Sequence, residues 1–343
     1  MTQKSLVSVL IPCYNAEKWL SETIESALAQ TWQNIEIIIT DDGSTDASLS
    51  IARAYEGLGV KVISQPNRGA SAARNRALMV AQGDFIQYLD ADDLLATDKI
   101  ERQITLLRES SERVVASSEW ARFYRSPAEA LFNSHPLWTD KDPIDFLVCA
   151  WKMNWMMHPA AWLIPRKIVE EVEPWNEALS LNDDGEYFCR IALSSTKIKF
   201  CPNSKVYYRS GNSSSLSASV SVEARQSQFL SLRLCVDALL KAEDSPRTRS
   251  ACATIFQRFV HETYPDSSDL CAAAAIQIQQ LGGSDLKPGG GPVFQLVSRT
   301  LGWRRAKRIQ KWAYELGYGK VAFGWKLAKL KERIAYSLSS DNA

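Results

Sequence analysis

The chain has 343 residues, of which 45% are apolar and 23% charged, a composition typical of a soluble globular protein with one or two domains. Its net charge of +1 argues against nucleic-acid binding through overall positive charge, and three histidines without metal-ligand spacing argue against a zinc site. Seven scattered cysteines with no C-x-x-C pair, and no apolar run that fits a signal peptide or a membrane span, predict a cytoplasmic protein.

The first hundred residues alternate between short apolar segments and segments with helical periodicity. Strands are predicted at 5–12, 35–40, 60–64 and 84–89, and helices at 16–30, 46–57 and 69–83. The predicted strands are almost entirely apolar, as in a sheet that is covered on both faces. This order predicts an α/β fold, with a doubly wound, mostly parallel sheet and helices on both of its faces.

Polar side chains follow each of these predicted strands. They are Asp41, Asp42, Asn67, Arg68, Asp90, Asp92 and Asp93. Because the carboxyl ends of parallel strands lie at one edge of the sheet, where ligands bind, we expect these side chains to gather there. Aspartate and asparagine also begin turns and cap helices, which is the interpretation we favour for Ser44, Thr45 and Asp46. One cap needs only one carboxylate, so capping does not account for three aspartates within residues 90–93.

From residue 113 the pattern becomes mixed. Strands are predicted at 113–120 and 159–165, helices at 142–153, 166–175 and 184–195, and a hairpin or two edge strands at 197–210. A serine-rich stretch near 210–221 marks a boundary or a mobile loop. Beyond it the chain is mostly helical, with a turn-rich linker at 282–292. We therefore divide the chain into residues 1–115, 116–215 and 216–343.

The D-x-D sequence of Asp90 and Asp92 places two carboxylates on one side of the chain at a strand end. Clustered carboxylates repel one another unless a cation or several donors neutralise them. Mg²⁺ and Mn²⁺ suit such a pair, because they complete their shell with water and phosphate oxygens. We therefore expect a divalent metal held together with a phosphate-bearing substrate, to which Arg68, Arg74 and Arg76 would supply donors. Neither a P-loop nor a G-x-G-x-x-G motif is present.

Four segments of the first hundred residues resemble, in order and at close spacing, the nucleotide-sugar-binding half of bacterial family 2 glycosyltransferases with the GT-A fold. They are "VSVLIPCYNAEKWL", "IEIIITDDGSTDAS", "NRGASAARNRAL" and "GDFIQYLDADD". The resemblance implies a nucleoside diphosphate sugar donor, and nucleotide-binding residues Pro12, Tyr14, Glu17, Asp42, Arg74 and Asp90. It also implies that Asp92, with Asp90, holds the divalent metal. Asp93 either belongs to this site or caps a helix that begins near Thr97.

A second, looser resemblance covers residues 160–210, where "EPWNEALSLNDDGEYFCRIAL" is similar to the family's acidic pair before an aromatic-rich helix. Asp184 falls at the position of the family's catalytic base, and Asp183 is its acidic neighbour. An inverting transfer needs a base, because the acceptor oxygen must lose its proton as it attacks the anomeric carbon. The alternative is that both residues are a cap and a first-turn acid of a helix. The resemblance thus makes 1–115 the nucleotide-sugar half and 116–215 the acceptor half.

The chain departs from this family at Gly211. Many members carry a histidine there, a few residues after a "YR" pair, and that histidine can approach the metal or the diphosphate. In this chain the metal has either fewer protein ligands or a serine ligand from the serine-rich stretch.

Two further segments bear on the acceptor and on location. The aromatic stretch 150–162 is either a sugar-stacking platform, with His158 as a hydrogen-bond partner of the acceptor, or ordinary core. The segment 299–338 interleaves tryptophan with lysine and arginine, which predicts a helix on an anionic membrane surface or a helix docked on its own domain. A lipid-linked acceptor would favour the membrane, at its inner face. We expect no nucleic-acid partner.

The sequence leaves three functions to compare. The leading one is an inverting, metal-assisted hexosyltransferase of polysaccharide biosynthesis that acts on a glycan, lipid-linked or other hydroxyl acceptor. A sugar-phosphate nucleotidyltransferase is the first alternative, but "PCYNAEKW" lacks the glycine-rich basic loop of that class. A catalytically inactive nucleotide-sugar-binding protein is the second, and the presence of Asp92 and Asp184 argues against it.

Overall fold

The structure is a computed structural model that describes residues 5–110, 113–211 and 221–316. Its strands are β1 (Val7–Cys13), β2 (Ile35–Asp41), β3 (Val60–Ser64), β4 (Phe85–Tyr88), β5 (Leu94–Leu95), β6 (Val114–Phe123), β7 (Ile164–Pro165) and β8 (Lys197–Arg209). Its helices are α1 (Leu20–Leu28), α2 (Ser48–Ala54), α3 (Ala70–Val80), α4 (Lys99–Arg108), α5 (Pro143–Met153), α6 (Arg166–Glu171), α7 (Asp183–Ser194), α8 (Val222–Ala242), α9 (Pro246–Thr263), α10 (Ser268–Gln280), α11 (Pro292–Leu301) and α12 (Trp303–Glu315).

The larger sheet has five strands in the order β3-β2-β1-β4-β7. The pairs among β1 to β4 are parallel, and only the edge strand β7 runs antiparallel. Every residue of β1 is buried, so both faces of the sheet are covered at its centre. The register pairs Cys13 with Asp41 and Asp41 with Ser64, so these strands end at one edge. The α/β fold with a mostly parallel sheet is confirmed.

A second sheet has three strands in the order β5-β8-β6, and its central strand contains the residues predicted to form a hairpin or two edge strands. That prediction is wrong, because β8 is one strand of 13 residues that pairs in parallel with β6. The register passes from Ser118 opposite Cys201 to Glu119 opposite Lys205, which leaves residues 202–204 as a bulge. Asn203 has φ 64° in this bulge, and its N–H donates to Glu119 at 2.9 Å. A turn-like sequence thus bends the strand without ending it.

Three smaller predictions are also corrected. The strand predicted at 159–165 is a 3-10 turn, Pro159–Ala161, followed by the two-residue β7. The helix predicted at 166–175 ends at Glu171, before Pro174, because the residue preceding a proline disfavours helical geometry. Asp93 does not cap a helix: α4 begins at Lys99 without a side-chain cap, and Asp93 bonds elsewhere.

The chain divides into two compact units. One comprises residues 1–256 and 277–284, and the other residues 257–276 and 285–343. The first unit contains both sheets. Within the second, the ring of Trp303 packs on His261 and Tyr264, with centroids 4.9 and 5.4 Å away. No helix among residues 5–110, 113–211 and 221–316 is both long and apolar enough to cross a bilayer. The three-part division drawn from the sequence stays a prediction.

Candidate active site

The loop after β4 carries three aspartates, and each has different neighbours. Asp90 contacts Arg74, whose Nη2 donates to its Oδ1 at 2.9 Å. Asp93 is fully buried, and its Oδ1 accepts a hydrogen bond from the backbone N–H of Arg209 at 2.8 Å. Its Oδ2 lies 2.9 Å from Nε2 of His158. These contacts tie two of the three carboxylates to internal partners.

Asp92 is the third carboxylate of this loop and is half-buried. Among the residues that the structure describes, no side chain donates a hydrogen bond to it or forms an ion pair with it. Burial, followed by the charges of Asp93 and Asp90, raises the pKa of Asp92 to about 7. A carboxylate in this position would gain more from a bound cation than either of its neighbours.

The loop offers ligands that suit a hard divalent cation. Ligand atoms of Asp90, Asp93 and His158 all lie within 4.8 Å of one another, and the half-buried Asp92 immediately precedes Asp93 in the chain. A site rich in carboxylate oxygens fits Mg²⁺ or Mn²⁺ better than softer metals. The cluster contains Asp90 of the predicted D-x-D pair but not Asp92, so a metal held by Asp92 stays a prediction.

Arg74 joins the loop to a second pair of aspartates. It projects from α3 and is buried, with a relative exposure of 6%. Its Nη1 donates to Oδ2 of Asp183 at 2.7 Å, while Nη2 contacts Asp90. The guanidinium also lies 4.4 Å from the ring centre of Trp175. One buried cation thus neutralises one carboxylate in each acidic group, and burial without such partners would be costly.

Asp183 and Asp184 are the first two residues of α7, so both are first-turn acids as the helix-start interpretation predicts, but the N-cap is Asn182 and neither aspartate caps the helix. Asp183 is paired with Arg74 and also accepts a hydrogen bond from Ser71 Oγ at 3.0 Å. Asp184 accepts only the N–H of Gly185, at 2.8 Å, among the contacts that the structure describes. Burial, and then the charge of Asp183, raise the pKa of Asp184 to about 6, although Arg74 lowers it. A carboxylate with this pKa is ionised at neutral pH and still able to accept a proton.

Four of the six residues predicted to bind the nucleotide, Pro12, Tyr14, Glu17 and Asp42, lie at or just after the ends of β1 and β2. Asp42 is 2% exposed, and its oxygens accept hydrogen bonds from Gln65 Nε2 at 2.7 Å, Arg68 N at 2.9 Å and Gly69 N at 2.7 Å. Asp42 therefore fixes the turn at 65–69, and a direct contact with a base stays a prediction.

The turn after β1 is joined to the turn after β2. Glu17 accepts the N–H of Ala47 at 3.0 Å, and its own N–H donates to Asp46 at 3.1 Å. Tyr14 projects from this turn with 51% of its surface exposed, while Pro12 lies within β1. The structure thus gathers the predicted nucleotide residues at one edge of the sheet, next to the acidic loop.

The structure adds one arginine that the sequence analysis missed. Arg209, at the end of β8, donates from Nε to the carbonyl of Asp92 at 2.8 Å and from Nη2 to Glu22 at 2.6 Å. In the sequence analysis the "YR" pair that contains Arg209 was used only to align Gly211 with the family's histidine, and no role was given to the arginine. Gly211 has φ +91°, and the serine-rich stretch after it, 212–220, lies outside the described residues.

The aromatic stretch 150–162 divides between core and surface. Trp162 is 1% exposed and His158 is 2% exposed, so both belong to the interior. Trp155 and Met156 are 38% and 41% exposed, and the Trp155 ring meets His135 with centroids 4.3 Å apart. The role of this surface toward an acceptor stays a prediction.

Comparisons with known proteins agree on one family. The profile described as "Glycosyl transferase family 2" matches residues 8–172. Glycosyltransferase GlyG of Streptococcus pneumoniae is 33% identical over 217 residues, which cover 60% of this chain and 70% of GlyG. Other curated relatives are covered less fully, one over 42% and another over 44% of its length.

Solved structures share the fold. S. aureus TarS 1–349, solved with UDP-GlcNAc, aligns with a TM-score of 0.67 at 17% identity over 91% of this chain and 92% of that one. A mannosyltransferase of Pyrobaculum calidifontis, solved with GDP-Man and Mn²⁺, aligns with a TM-score of 0.52 at 18% identity over 92% of this chain and 85% of that one. At these identities the likeness concerns the fold, and it confirms the GT-A-like prediction.

Proposed function

The chain belongs to glycosyl transferase family 2, and we propose that it transfers a sugar from a nucleoside diphosphate sugar to an acceptor hydroxyl, with inversion at the anomeric carbon. The observation that supports this proposal best is that the five aspartates of the site differ in their partners. Asp90, Asp93 and Asp183 each have an internal partner, whereas Asp92 and Asp184 are left for chemistry.

Asp184 is proposed as the general base. An inverting transfer is a single displacement, in which the acceptor oxygen attacks as the diphosphate leaves from the opposite face. The base must take the hydroxyl proton during that attack, and a carboxylate of pKa about 6 at the first turn of α7 suits this task. Arg74 holds Asp183 in an ion pair, which leaves Asp184 as the carboxylate of this turn that is available to take the proton.

Asp92, with Asp90, is proposed to hold a divalent metal, Mn²⁺ or Mg²⁺. When bound, such an ion supplies positive charge where the diphosphate of the donor accumulates negative charge. Arg209 holds the backbone of Asp92 from its carbonyl side, and Arg74 orients Asp90. Pro12, Tyr14, Glu17 and Asp42 are proposed to shape the nucleotide site at the adjoining strand ends.

Family membership favours this activity over the two alternatives that the sequence left open. A nucleotidyltransferase would need a basic glycine-rich turn after β1, where the chain has Tyr14 and Glu17. An inactive nucleotide-sugar-binding protein would not need an ionisable Asp184 beside the paired Asp183. TarS and the mannosyltransferase bind different nucleotides by their descriptions, so the donor of this chain is left to experiment.

The decisive experiment is calorimetric binding of UDP, GDP and dTDP, each with Mn²⁺ and with EDTA. We expect one nucleotide to bind in the presence of the metal, and Asp92→Ala to weaken that binding by at least about tenfold. Asp98→Ala is the matched control, because Asp98 is a half-buried aspartate just before α4 that pairs with Arg102 of that helix. If none of the three nucleotides binds under either condition, the proposed function is wrong.

We also propose that the chain works at the inner face of the membrane, on a glycan or lipid-linked acceptor. All seven cysteines lie in described parts of the chain and are free thiols, as expected in a reducing compartment. On α12, Arg305, Ile309 and Trp312 share one side of the helix, and the two apolar residues are 44% and 62% exposed. Residues 317–338 of the predicted membrane segment lie outside the described residues.

Vesicle flotation of the full chain tests this location. We expect binding to vesicles that contain phosphatidylserine and not to neutral ones, with Arg305→Ser lowering the affinity about fivefold. Arg249→Ser removes an exposed arginine outside the segment, where it pairs with Asp244, and should leave vesicle binding unchanged. Equal loss in both variants, or equal binding to neutral vesicles, would contradict a specific basic surface.

A further inference from the structure

His158 lies beside the candidate metal site, and its role can be argued from one backbone hydrogen bond and from its contact with Asp93. It is 2% exposed, and Nε2 lies 2.9 Å from Oδ2 of Asp93. The same histidine belongs to a cluster of three residues whose ligand atoms are close enough to bind one ion. Two roles therefore compete: a direct ligand of the metal, or a partner that holds Asp93 in place.

The protonation of the imidazole ring distinguishes these roles. The backbone N–H of Ala160 donates to Nδ1 of His158 at 3.2 Å, so Nδ1 carries a lone pair. In a neutral imidazole the proton must then be on Nε2, the atom that faces Asp93. A histidine that binds a metal through Nε2 needs a lone pair on that atom, and normally donates a hydrogen bond from Nδ1. The observed arrangement is the reverse.

The surroundings of Asp93 agree with a supporting role. Its Oδ1 accepts the N–H of Arg209, and the same arginine donates from Nε to the carbonyl of Asp92. Asp93 is thus held at one oxygen by the end of β8 and approached at the other by the residue before Pro159. Because Asp93 is fully buried and directly follows the half-buried Asp92, contacts that fix Asp93 also restrict the backbone of Asp92.

We infer that His158 is a positioning residue: through Asp93 it fixes the 90–93 loop in the conformation that presents Asp92 to a divalent cation, and it does not bind the cation itself. The part of this inference that concerns the cation rests on the proposed function, and the part that concerns the contact of His158 with Asp93 does not. The placement of the proton on Nε2 is a property of the protein without metal.

Heteronuclear NMR of ¹⁵N-histidine-labelled protein tests the inference directly. The chain has only three histidines, and a spectrum of His158→Gln assigns the signals of His158. We expect a protonated Nε2 and an unprotonated Nδ1 in the free protein, unchanged on addition of Mg²⁺ with the nucleoside diphosphate that binds. A proton on Nδ1, or loss of the Nε2 proton when Mg²⁺ and nucleotide are added, would overturn it.

Binding measurements give a second, independent readout. We expect His158→Ala to weaken metal-dependent nucleotide binding roughly 10- to 100-fold, as loss of a group that orients a ligand does. His158→Gln should recover most of that loss, because its amide can donate to Asp93. His135→Ala is the matched control, because His135 is also buried and its ring, like that of His158, packs on Trp120. The ring centres of His135 and Trp120 are 6.2 Å apart.

The outcomes separate the two proposals. If the wild type binds no nucleotide in the presence of metal, the proposed function is wrong. The NMR experiment on the free protein still tests whether the proton of His158 is on Nε2, as the inference requires. If the wild type binds and His158→Ala binds equally well, the inference is wrong and the proposed function stands. Equal losses in His158→Ala and His135→Ala would also overturn it, because they would show only a general effect on packing.

Discussion

The loop after β4 and the first turn of α7 are two acidic groups. Both contain a neutralised carboxylate and one with a raised pKa, but the surroundings of the second carboxylate differ. In each group a buried partner neutralises part of the charge, and Arg74 serves both, through Asp90 and Asp183. Each group also leaves one carboxylate with a raised pKa, about 7 for Asp92 and about 6 for Asp184. Asp92 lies among other carboxylate oxygens, which suits a metal, whereas Asp184 stands beside one neutralised neighbour, which suits a proton.

The difference teaches how acidic residues are divided between structure and chemistry. A buried carboxylate with an aligned cation or N–H donor is already stabilised, and moving a proton or a metal onto it would break that contact. A carboxylate that is half-buried without such a partner is poised to bind a proton or a cation. The number of aspartates in a motif therefore says less about function than the partners of each one.

Loss of Asp184 should have the largest effect on turnover. Asp184→Asn keeps the shape of the side chain and removes the base, so we expect kcat to fall about 10³-fold. Nucleotide affinity should change little, because the acidic loop is untouched. The measurement is steady-state kinetics with the donor that the calorimetry selects.

Asp183→Asn sharpens the comparison within the same turn. It removes a partner of Arg74 and should lower stability, with a smaller loss of kcat than Asp184→Asn. If the two variants lost the same turnover at equal stability, the division into a paired and an open carboxylate would be wrong.

Arg74→Met should give the largest change in stability. It leaves the half-buried Asp90 and Asp183 without their buried cation, which costs about 3 kcal/mol in the free energy of unfolding. Arg68→Met is the matched control, since the Arg68–Glu177 pair is 64% and 39% exposed and should contribute at most about 1 kcal/mol. Urea unfolding measures both, and equal losses would contradict the shared role of Arg74.

The pH dependence gives the smallest but most specific effect. A general base works when deprotonated, and the pKa of Asp184 is raised to about 6, so kcat/KM should fall about tenfold per pH unit below pH 6. A cation bound nearby would move this midpoint to lower pH. The residual activity of Asp184→Asn should not show this fall below pH 6. If the fall persists in the variant, it is caused by the titration of another group.

Much of the structure of residues 1–115 was predictable from the sequence because its signals are local. Strands that are apolar throughout, helices between them and acidic strand ends define a parallel sheet with a polar carboxyl edge, and β1 to β4 follow that pattern. The structure of residues 116–215 was less predictable. The Pro202–Asn203 pair has the composition of a hairpin turn, yet the long pairing of β8 with β6 turns it into a bulge.

The sequence by itself determined the fold class, the edge at which the polar residues gather and the presence of an acidic loop and an acidic helix start. Periodicity and the residue types at strand ends depend on residues that are close in sequence, so they can be recognised from the sequence alone. Only the tertiary structure decided which carboxylates are neutralised. Arg74, His158 and Arg209 reach the acidic loop from α3, the turn before β7 and the end of β8, and partners so distant in sequence are set by packing.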